Sequence, residues 1–403
     1  MINPLRGMKD LTFEESQRFE YIVQTASKIA RRYGYGYIET PILEETALFK
    51  RSVGESSDIV GKEMYQFIDK GENDVCMRPE GTAGVVRAFI SAKLDRQPIK
   101  QKFYYYGPMF RYEKPQKGRL REFHQFGCES FGETSVYEDF TIITMVAQIF
   151  DALGIGYELK INSLGCTTCM PPYKTNLVQF LTDINDKLCE DCNRRKETNP
   201  IRVLDCKNET CQFHLVNSPK LITNLCECCD SDFIELTKLL GDANIDYTID
   251  TNLVRGLDYY NKTAFEFVSN EIGAQSAIAG GGRYDKLVEF LDGKPTPAVG
   301  FALGIERIME LVQMPEPERE GYYMGAMTQE AIPTLIALAT QKRLTDKVTI
   351  EYTSKGFKSH MKGVDKAHPK YALLIGEDEL KNGTVWLKDL ETQEEKSVAL
   401  EAL

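Results

Sequence analysis

The 403-residue chain has no run approaching the roughly 18 consecutive apolar residues that a membrane-spanning helix needs. Its opening residues, Met1-Ile2-Asn3-Pro4-Leu5-Arg6-Gly7, lack the apolar stretch of an export signal, so the expectation is a soluble protein of the cytoplasm with no membrane partner. Positive charge is in the minority. Lys and Arg number 49 against 60 Asp and Glu, a net of −11, which excludes a uniformly basic surface but leaves room for a local nucleic-acid footprint. Cysteine is nearly absent from most of the chain, with only Cys76 and Cys128 outside residues 166–229. Nine of eleven thiols in one short segment, without an export signal, point to metal binding rather than to a disulfide framework. No internal repeat is evident.

What is present is an ordinary globular balance, 42% hydrophobic and 27% charged, in a chain long enough for two or three domains of about 150 residues. Apolar spacing predicts helices over Glu14–Tyr33, Thr82–Leu94 and Glu138–Leu153. Extended segments are expected at Tyr37–Ile42, Phe103–Glu113, Arg121–Phe131 and Gly156–Ile161. Residues 164–235 break this pattern with paired cysteines and basic clusters and read as an inserted domain between 1–163 and 236–314. Residues 315–320 have linker composition. Residues 321–403 alternate strand and helix, a small α/β domain. The fold class is therefore mixed α/β (α+β).

Four segments concentrate chemistry-bearing residues. In the first, period-two alternation puts Arg111 and Glu113 on one face of a strand, and Gln125, Gly127 and Glu129 on one face of the next. A basic loop, 114–119, joins them. A ligand on that face would meet a guanidinium, an amide and a carboxylate, with Gly127 allowing close approach; from the strand pattern alone, a charged outer sheet face is the preferred reading. The second, Leu253-Val254-Arg255-Gly256-Leu257-Asp258-Tyr259-Tyr260-Asn261, enters a strand at Thr263–Val268 and also suits an aromatic-anchored turn. The third, Ala279-Gly280-Gly281-Gly282-Arg283-Tyr284-Asp285, reads as a flexible turn before a helix whose N-terminus could face an anion. It is neither a P-loop nor a dinucleotide fingerprint. The fourth, Gly300 to Arg307, is a glycine-interrupted strand feeding a helix over Ile305–Val312, with Arg307 off its apolar stripe.

The cysteines form pairs: Cys166/Cys169, Cys189/Cys192, Cys206/Cys211 and Cys226/Cys229, with Cys228 extra. Two such pairs make a tetrahedral zinc site, so four could hold two structural Zn²⁺ ions; free thiols are the alternative.

Taken together the four segments resemble the histidyl-tRNA synthetases, class II aminoacyl-tRNA synthetases, from Leu5-Arg6-Gly7-Met8-Lys9-Asp10 to the C-terminus. Arg255-Gly256-Leu257-Asp258-Tyr259-Tyr260 carries the resemblance to the histidine branch. The Arg111 and Gly300–Arg307 segments mark class II, and the segment around Pro41 resembles its dimer-interface motif, implying a homodimer. The resemblance implies a class II antiparallel-sheet catalytic domain, a Cys-rich insert touching the tRNA acceptor arm and a C-terminal anticodon-binding domain. It also implies ATP with Mg²⁺, histidine and tRNA(His) as substrates and partners. Arg111 and Arg255 would hold the α-phosphate and Arg307 the γ-phosphate, with Glu113 and Arg119 contacting adenine and phosphates. Glu80, Thr82 and Gln125 would bind the α-amino group, Glu129 and Tyr260 the imidazole, and Tyr259 and Tyr284 would line the pocket. His124 is expected to point away and be structural. Lys114 stands where many members carry arginine, keeping charge but losing fork geometry. From Lys342 to Lys370, eight Lys/Arg face three acids, a local +5 suited to phosphate contact. The rival implied function is a synthetase-like regulatory subunit of histidine biosynthesis that binds histidine without charging tRNA.

Overall fold

Glu14–Arg32 is a helix because its apolar residues recur every three or four positions, burying Ile22, Val23, Ala26, Ile29 and Ala30 on one face. Glu14 and Glu15 in its first turn and Arg31 and Arg32 in its last complement the helix dipole. Gly34, at φ 83°, turns the chain out of it. The computed structural model describes residues 2–54, 57–116, 118–206, 208–272 and 277–403. They divide into two units, Met1–Met314 and Pro315–Leu403.

The first unit is built on an eight-stranded sheet. Its spatial order is Gly36–Tyr37, Gln101–Phe110, Glu122–Phe131, Ala298–Gly304, Ala277–Arg283, Asn261–Val268, Glu158–Ser163 and Thr248–Ile249. The inner pairs are antiparallel, and only the two short edge strands pair in parallel. One face carries Phe126, Cys128, Val299, Phe301, Phe265 and Phe267 against the helices Glu14–Arg32, Val136–Ala152 and Glu227–Asp242. The opposite face looks toward the helix Thr82–Ser91 and holds Tyr105, Tyr259 and Tyr284 in a separate cluster with Val85, Val86 and Phe89.

Residues Ala279–Arg283 overturn the expectation of a flexible turn: Ala277–Arg283 is an interior strand of the sheet. The helix after it is only the four residues Leu287–Phe290 and offers no anion-binding terminus. Arg283, 2% exposed, is a structural tie. Its guanidinium bonds the Asp139 carboxylate and the carbonyls of Glu133 and Ser135, pinning this strand to the helix Val136–Ala152. Removing one partner of such a buried pair costs about 3–5 kcal/mol. The helix expected over Ile305–Val312 is shorter, Ile305–Met309.

Residues between Glu158–Ser163 and Glu227–Asp242 fold into short helices, Met170–Asp183, Glu190–Thr198 and Glu209–Leu215, around Leu177, Leu181, Val203 and buried cysteines. The helix Glu227–Asp242 begins among these thiols and ends with Leu236 and Leu240 beneath the main sheet, so residue 235 lies inside a continuous helix.

The second unit has a five-stranded sheet in the order Val348–Glu351, Tyr322–Ala326, Tyr371–Ile375, Thr384–Asp389, Glu395–Ala399. Met324, Leu373 and Ile375 pack on the helix Ile332–Lys342, while Tyr323, Ala372 and Leu374 pack on Phe357–Ala367, so the alternation along each strand covers both faces.

Candidate active site

The face opposite the three long helices is paved with small residues. Across the sheet the aligned row runs Tyr105, Gly127, Ala302, Gly280, Glu266, and the next runs Glu129, Gly300, Gly282, Ala264. Bare backbone at these positions lets long side chains from the rims lie flat on the sheet. A Cβ on Gly280 would strike the Arg255 guanidinium, one on Gly300 the Glu129 carboxylate, and one on Gly127 the Tyr105 ring. Gly127 was expected to admit a ligand; the Tyr105 ring fills that space, wedged between Gly127 and Gly81.

Arg111, Arg255 and Arg307 all line one cavity of about 410 Å³, together with Glu80, Thr82, Gln125, Tyr259, Tyr260, Glu113 and Arg119. Arg111, expected within a strand, lies just beyond its end, and Arg307, expected off the apolar stripe of its helix, faces the cavity. Arg111 follows the end of Gln101–Phe110, and its Nε donates to the Pro79 carbonyl at 2.8 Å. Arg307 turns back from its short helix, donating from Nε to the Gly118 carbonyl at 3.1 Å and from Nη1 to that of Ala277. Burial pushes the pKa of Arg111 and Arg307 down, and their mutual repulsion adds to the effect at Arg307. At Arg255 burial acts downward as well, but Tyr260 and Glu266 raise the net value. Its Nη1 donates to Glu266 Oε1 at 2.9 Å, and its Nε has no partner among the described residues. Glu113 and Arg119 pair with each other, with Glu63 3.8 Å from Arg119. Lys117 of the connecting loop lies outside the described residues.

Behind Thr82 of the cavity lining, Glu129 is 1% exposed and surrounded by hydroxyl donors. Thr82 Oγ1 donates to Oε1 at 2.7 Å, Tyr105 to Oε1 at 3.2 Å, and Tyr284 to Oε2. Burial outweighs these donors and raises its pKa from 4.5 to about 8. Glu80 accepts the Thr82 and Ala83 N–H groups at 2.6 and 2.8 Å, capping the helix Thr82–Ser91, while burial raises its pKa too. Tyr259, Tyr260 and Tyr284 form an aromatic wall with ring centres 4.7 to 6.3 Å apart. Gln125 Oε1 and the Tyr259 hydroxyl are buried with no partner among the described residues, so they are available to a polar ligand. His124 lies on the far side, bonded to Glu306 and edge-on to Phe19.

Tyr105 and Glu266 were not singled out from the sequence. Glu266 had a signal, a lone carboxylate in the apolar strand Asn261–Val268; Tyr105 sits in a run of three tyrosines that alternation alone divides between two faces.

The thiols resolve into two tetrads, Cys166, Cys169, Cys226, Cys229 and Cys189, Cys192, Cys206, Cys211, each with all sulfurs within 4.8 Å of one another. Sulfur separations of 3.7, 3.8 and 3.9 Å match the roughly 3.8 Å edge of a tetrahedron with metal–sulfur bonds of about 2.3 Å. Backbone N–H groups point at the sulfurs, Cys226 to Cys169 at 3.2 Å and Cys189 to Cys211 at 3.1 Å, an arrangement that suits metal-bound thiolates. The clusters could hold a metal. Cys228 is exposed and outside both.

An antiparallel sheet with guanidiniums over a glycine-paved face is the arrangement that the resemblance to class II aminoacyl-tRNA synthetases implied for the catalytic domain. The histidyl-tRNA synthetase family model matches residues 7–168 and 220–308, and an anticodon-binding domain model matches 328–403. The chain is 82% identical to a histidine–tRNA ligase of Sulfurovum sp. (strain NBC37-1), covering 99% of each chain. It is 63% identical to one of Sulfurimonas denitrificans, covering 100% of each. The apo crystal structure of S. aureus histidyl-tRNA synthetase matches with a TM-score of 0.83 at 33% identity, over 100% of this chain and 98% of that one. The chain belongs to the histidyl-tRNA synthetase family.

Proposed function

We propose that this chain is a histidine–tRNA ligase, which activates histidine with ATP to histidyl-adenylate and passes the histidyl group to the 3′ end of tRNA(His). The observation that carries the reading is one cavity lined by three half-buried guanidiniums and by Glu80, Thr82, Gln125, Tyr259 and Tyr260, with the buried Glu129 carboxylate directly behind Thr82, whose hydroxyl donates to it. Full-length likeness to proteins named histidine–tRNA ligase favours charging over a regulatory subunit that only binds histidine.

Activation joins two anions. A histidine carboxylate oxygen attacks the α-phosphorus, the new P–O bond forms as the bond to the bridging oxygen breaks, and pyrophosphate leaves. The main physical demand is positive charge held ready. Arg111 and Arg255 take the α-phosphate and Arg307 the γ-phosphate. Burial, and after it repulsion from Arg111 and Arg119, lowers the pKa of Arg307, and the phosphates of the nucleotide answer that repulsion. Glu113 and Arg119 turn from each other to adenine and phosphates. Glu80, Thr82 and Gln125 receive the α-amino group; Glu129 and Tyr260 bracket the imidazole; Tyr259 and Tyr284 exclude water. Two-ended polar recognition rejects amino acids of similar size, because a mismatch strands buried polar groups. Mg²⁺ accompanies ATP as its counter-charge.

The two thiol tetrads hold structural Zn²⁺, one each, a reading their tetrahedral spacing supports. The C-terminal unit binds the anticodon arm. Exposed Leu43, Phe67 and Ile68 of a separate three-stranded sheet (Leu43–Glu45, Asp74–Met77 and Gln66–Ile68), with exposed Ile42 next to it in the chain, support a homodimer through that face. No helix among the described residues is long and apolar enough to cross a membrane. Clustered thiols that serve as metal ligands, rather than pairing in disulfides, suit the reducing cytoplasm.

The test is histidine-dependent exchange of pyrophosphate into ATP, with the other nineteen amino acids as controls. Arg255→Ala is expected to lower exchange by about a hundredfold or more, the loss seen when a pre-aligned charge is removed, with unchanged circular dichroism. Exchange near wild type in that variant overturns the role given to Arg255.

A further inference from the structure

The segment 251–260, which carries Arg255, Tyr259 and Tyr260, has only turns and no strand or helix of its own. It is also a thin wall. Arg255, Leu257, Tyr259 and Tyr260 line the substrate cavity on one side and a second cavity of about 450 Å³ on the other. A backbone without a hydrogen-bonded ladder holds its shape only through outside anchors. Three are visible. The Asp258 N–H donates to the Val53 carbonyl at 3.3 Å. Asn199 Nδ2 donates to Asp258 Oδ1 at 2.9 Å. Arg202 donates to the same oxygen from Nε at 3.2 Å and Nη2 at 3.0 Å, and also to the Gly256 carbonyl.

Two of these anchors come from the insert, and from one place in it. Asn199 and Arg202 lie in the spacer between Cys192 and Cys206, at the junction of the helix Glu190–Thr198 with the 3-10 turn Pro200–Asp205. Closing the tetrad Cys189, Cys192, Cys206 and Cys211 pins both ends of that spacer. The same helix sends Arg195 to Asp58 at 2.8 Å, beside Ile59 of the substrate cavity. None of the four thiols lines that cavity.

We propose that the metal held by Cys189, Cys192, Cys206 and Cys211 sets the shape of the histidine pocket from a distance, through Arg202 as a positioning residue braced on Asp258 and Gly256. Metal binding fixes the spacer, the spacer fixes Arg202, and Arg202 fixes the turn between Arg255 and Tyr259. This rests on the reading of Arg255, Tyr259 and Tyr260 as activation and histidine-binding residues.

The experiment uses the full-length protein. Zinc per chain, histidine KM and kcat in pyrophosphate exchange, and amide hydrogen exchange across 253–260 are measured for wild type, Arg202→Ala, Arg202→Lys, Cys206→Ser and the Arg202→Ala/Cys206→Ser pair. Wild type is expected to hold two zinc ions. Arg202→Ala keeps both, yet histidine KM rises about tenfold, the loss of a charge-assisted hydrogen bond, and 253–260 exchanges faster. Arg202→Lys, which keeps the charge but not the fork, falls between. Cys206→Ser loses one zinc and shows the same KM and exchange defect. The pair is no worse than either alone, because both break one chain of contacts.

Cys206→Ser with one zinc and a wild-type KM overturns the proposal, as does Arg202→Ala with wild-type KM and protection. Multiplying effects in the pair, or wild type without zinc, overturn the link between metal and Arg202. Failure of the activity reading looks different: wild type then gives no histidine-dependent exchange, while zinc content and protection of 253–260 still report on the strut.

Discussion

Glu129 concentrates the electrostatic problem of the site in one side chain. It is buried against three hydroxyl donors that favour its charged form, yet loss of hydration dominates and raises its pKa from 4.5 to about 8. Between those values the folded protein binds a proton that the unfolded chain does not. The associated stability is present in full below pH 4.5 and is lost as pH rises through about 8. Glu129→Gln, a neutral isostere, carries no such loss. Without histidine its melting temperature should therefore rise relative to wild type between pH 6 and 9, by on the order of 2 °C. A difference that stays flat with pH would mean the carboxyl is ionised throughout. The same variant loses an acceptor for the imidazole N–H, so its histidine KM in pyrophosphate exchange should rise about a hundredfold.

At the scale of elements, the glycines of Ala277–Arg283 have a division of labour. Gly281 faces the Gly300 carbonyl and the Phe265 ring and is needed for the sheet itself, whereas Gly280 leaves room for the tip of a flexible side chain, Arg255. Gly280→Ala should thus displace the guanidinium without breaking the fold. Exchange is expected to fall about a hundredfold, close to the loss in Arg255→Ala, while the melting temperature moves by less than about 2 °C. A variant that aggregates, or one that keeps full exchange, would contradict this division. The helix Thr82–Ser91 shows the same economy. Glu80 caps its first N–H groups and lines the cavity, so one carboxylate both starts an element and faces the ligand.

At the scale of the whole molecule, an acidic chain meets a polyanion through a local face. In Phe357–Ala367, Lys358, Lys362 and Lys366 are exposed at intervals of four, one stripe of the helix, whereas Lys347, Lys355 and Lys370 are paired with Glu320, Glu351 and Glu391. Replacing all three stripe lysines with glutamate should raise the KM for tRNA(His) by at least about tenfold and flatten its salt dependence, since phosphate contacts release counterions. Pyrophosphate exchange should stay at wild-type level, because the substrate cavity lies within the first unit. Equal loss of exchange would show that the stripe is not a tRNA contact.

What the sequence by itself determined is local. Period-two alternation put Gln125, Gly127 and Glu129 on one face of Glu122–Phe131, and helical spacing located the buried stripe of Glu14–Arg32, because both depend only on backbone geometry within the element. The three Cys-x-x-Cys pairs and the wider pair Cys206/Cys211 were equally visible. Which pairs join, first with fourth and second with third, was decided by the tertiary structure, since loop-closure entropy changes too slowly with length to choose among such spacings. The run Gly280-Gly281-Gly282 read as a turn because glycine is the commonest turn residue; it became an interior strand because Arg255, Phe265 and the Glu129 row occupy the space that side chains there would fill. Arg307, off the apolar stripe of its helix, could have been solvated. Only the fold placed the Gly118 and Ala277 carbonyls where they turn its guanidinium into the cavity, and that depends on segments far apart in the chain meeting in space.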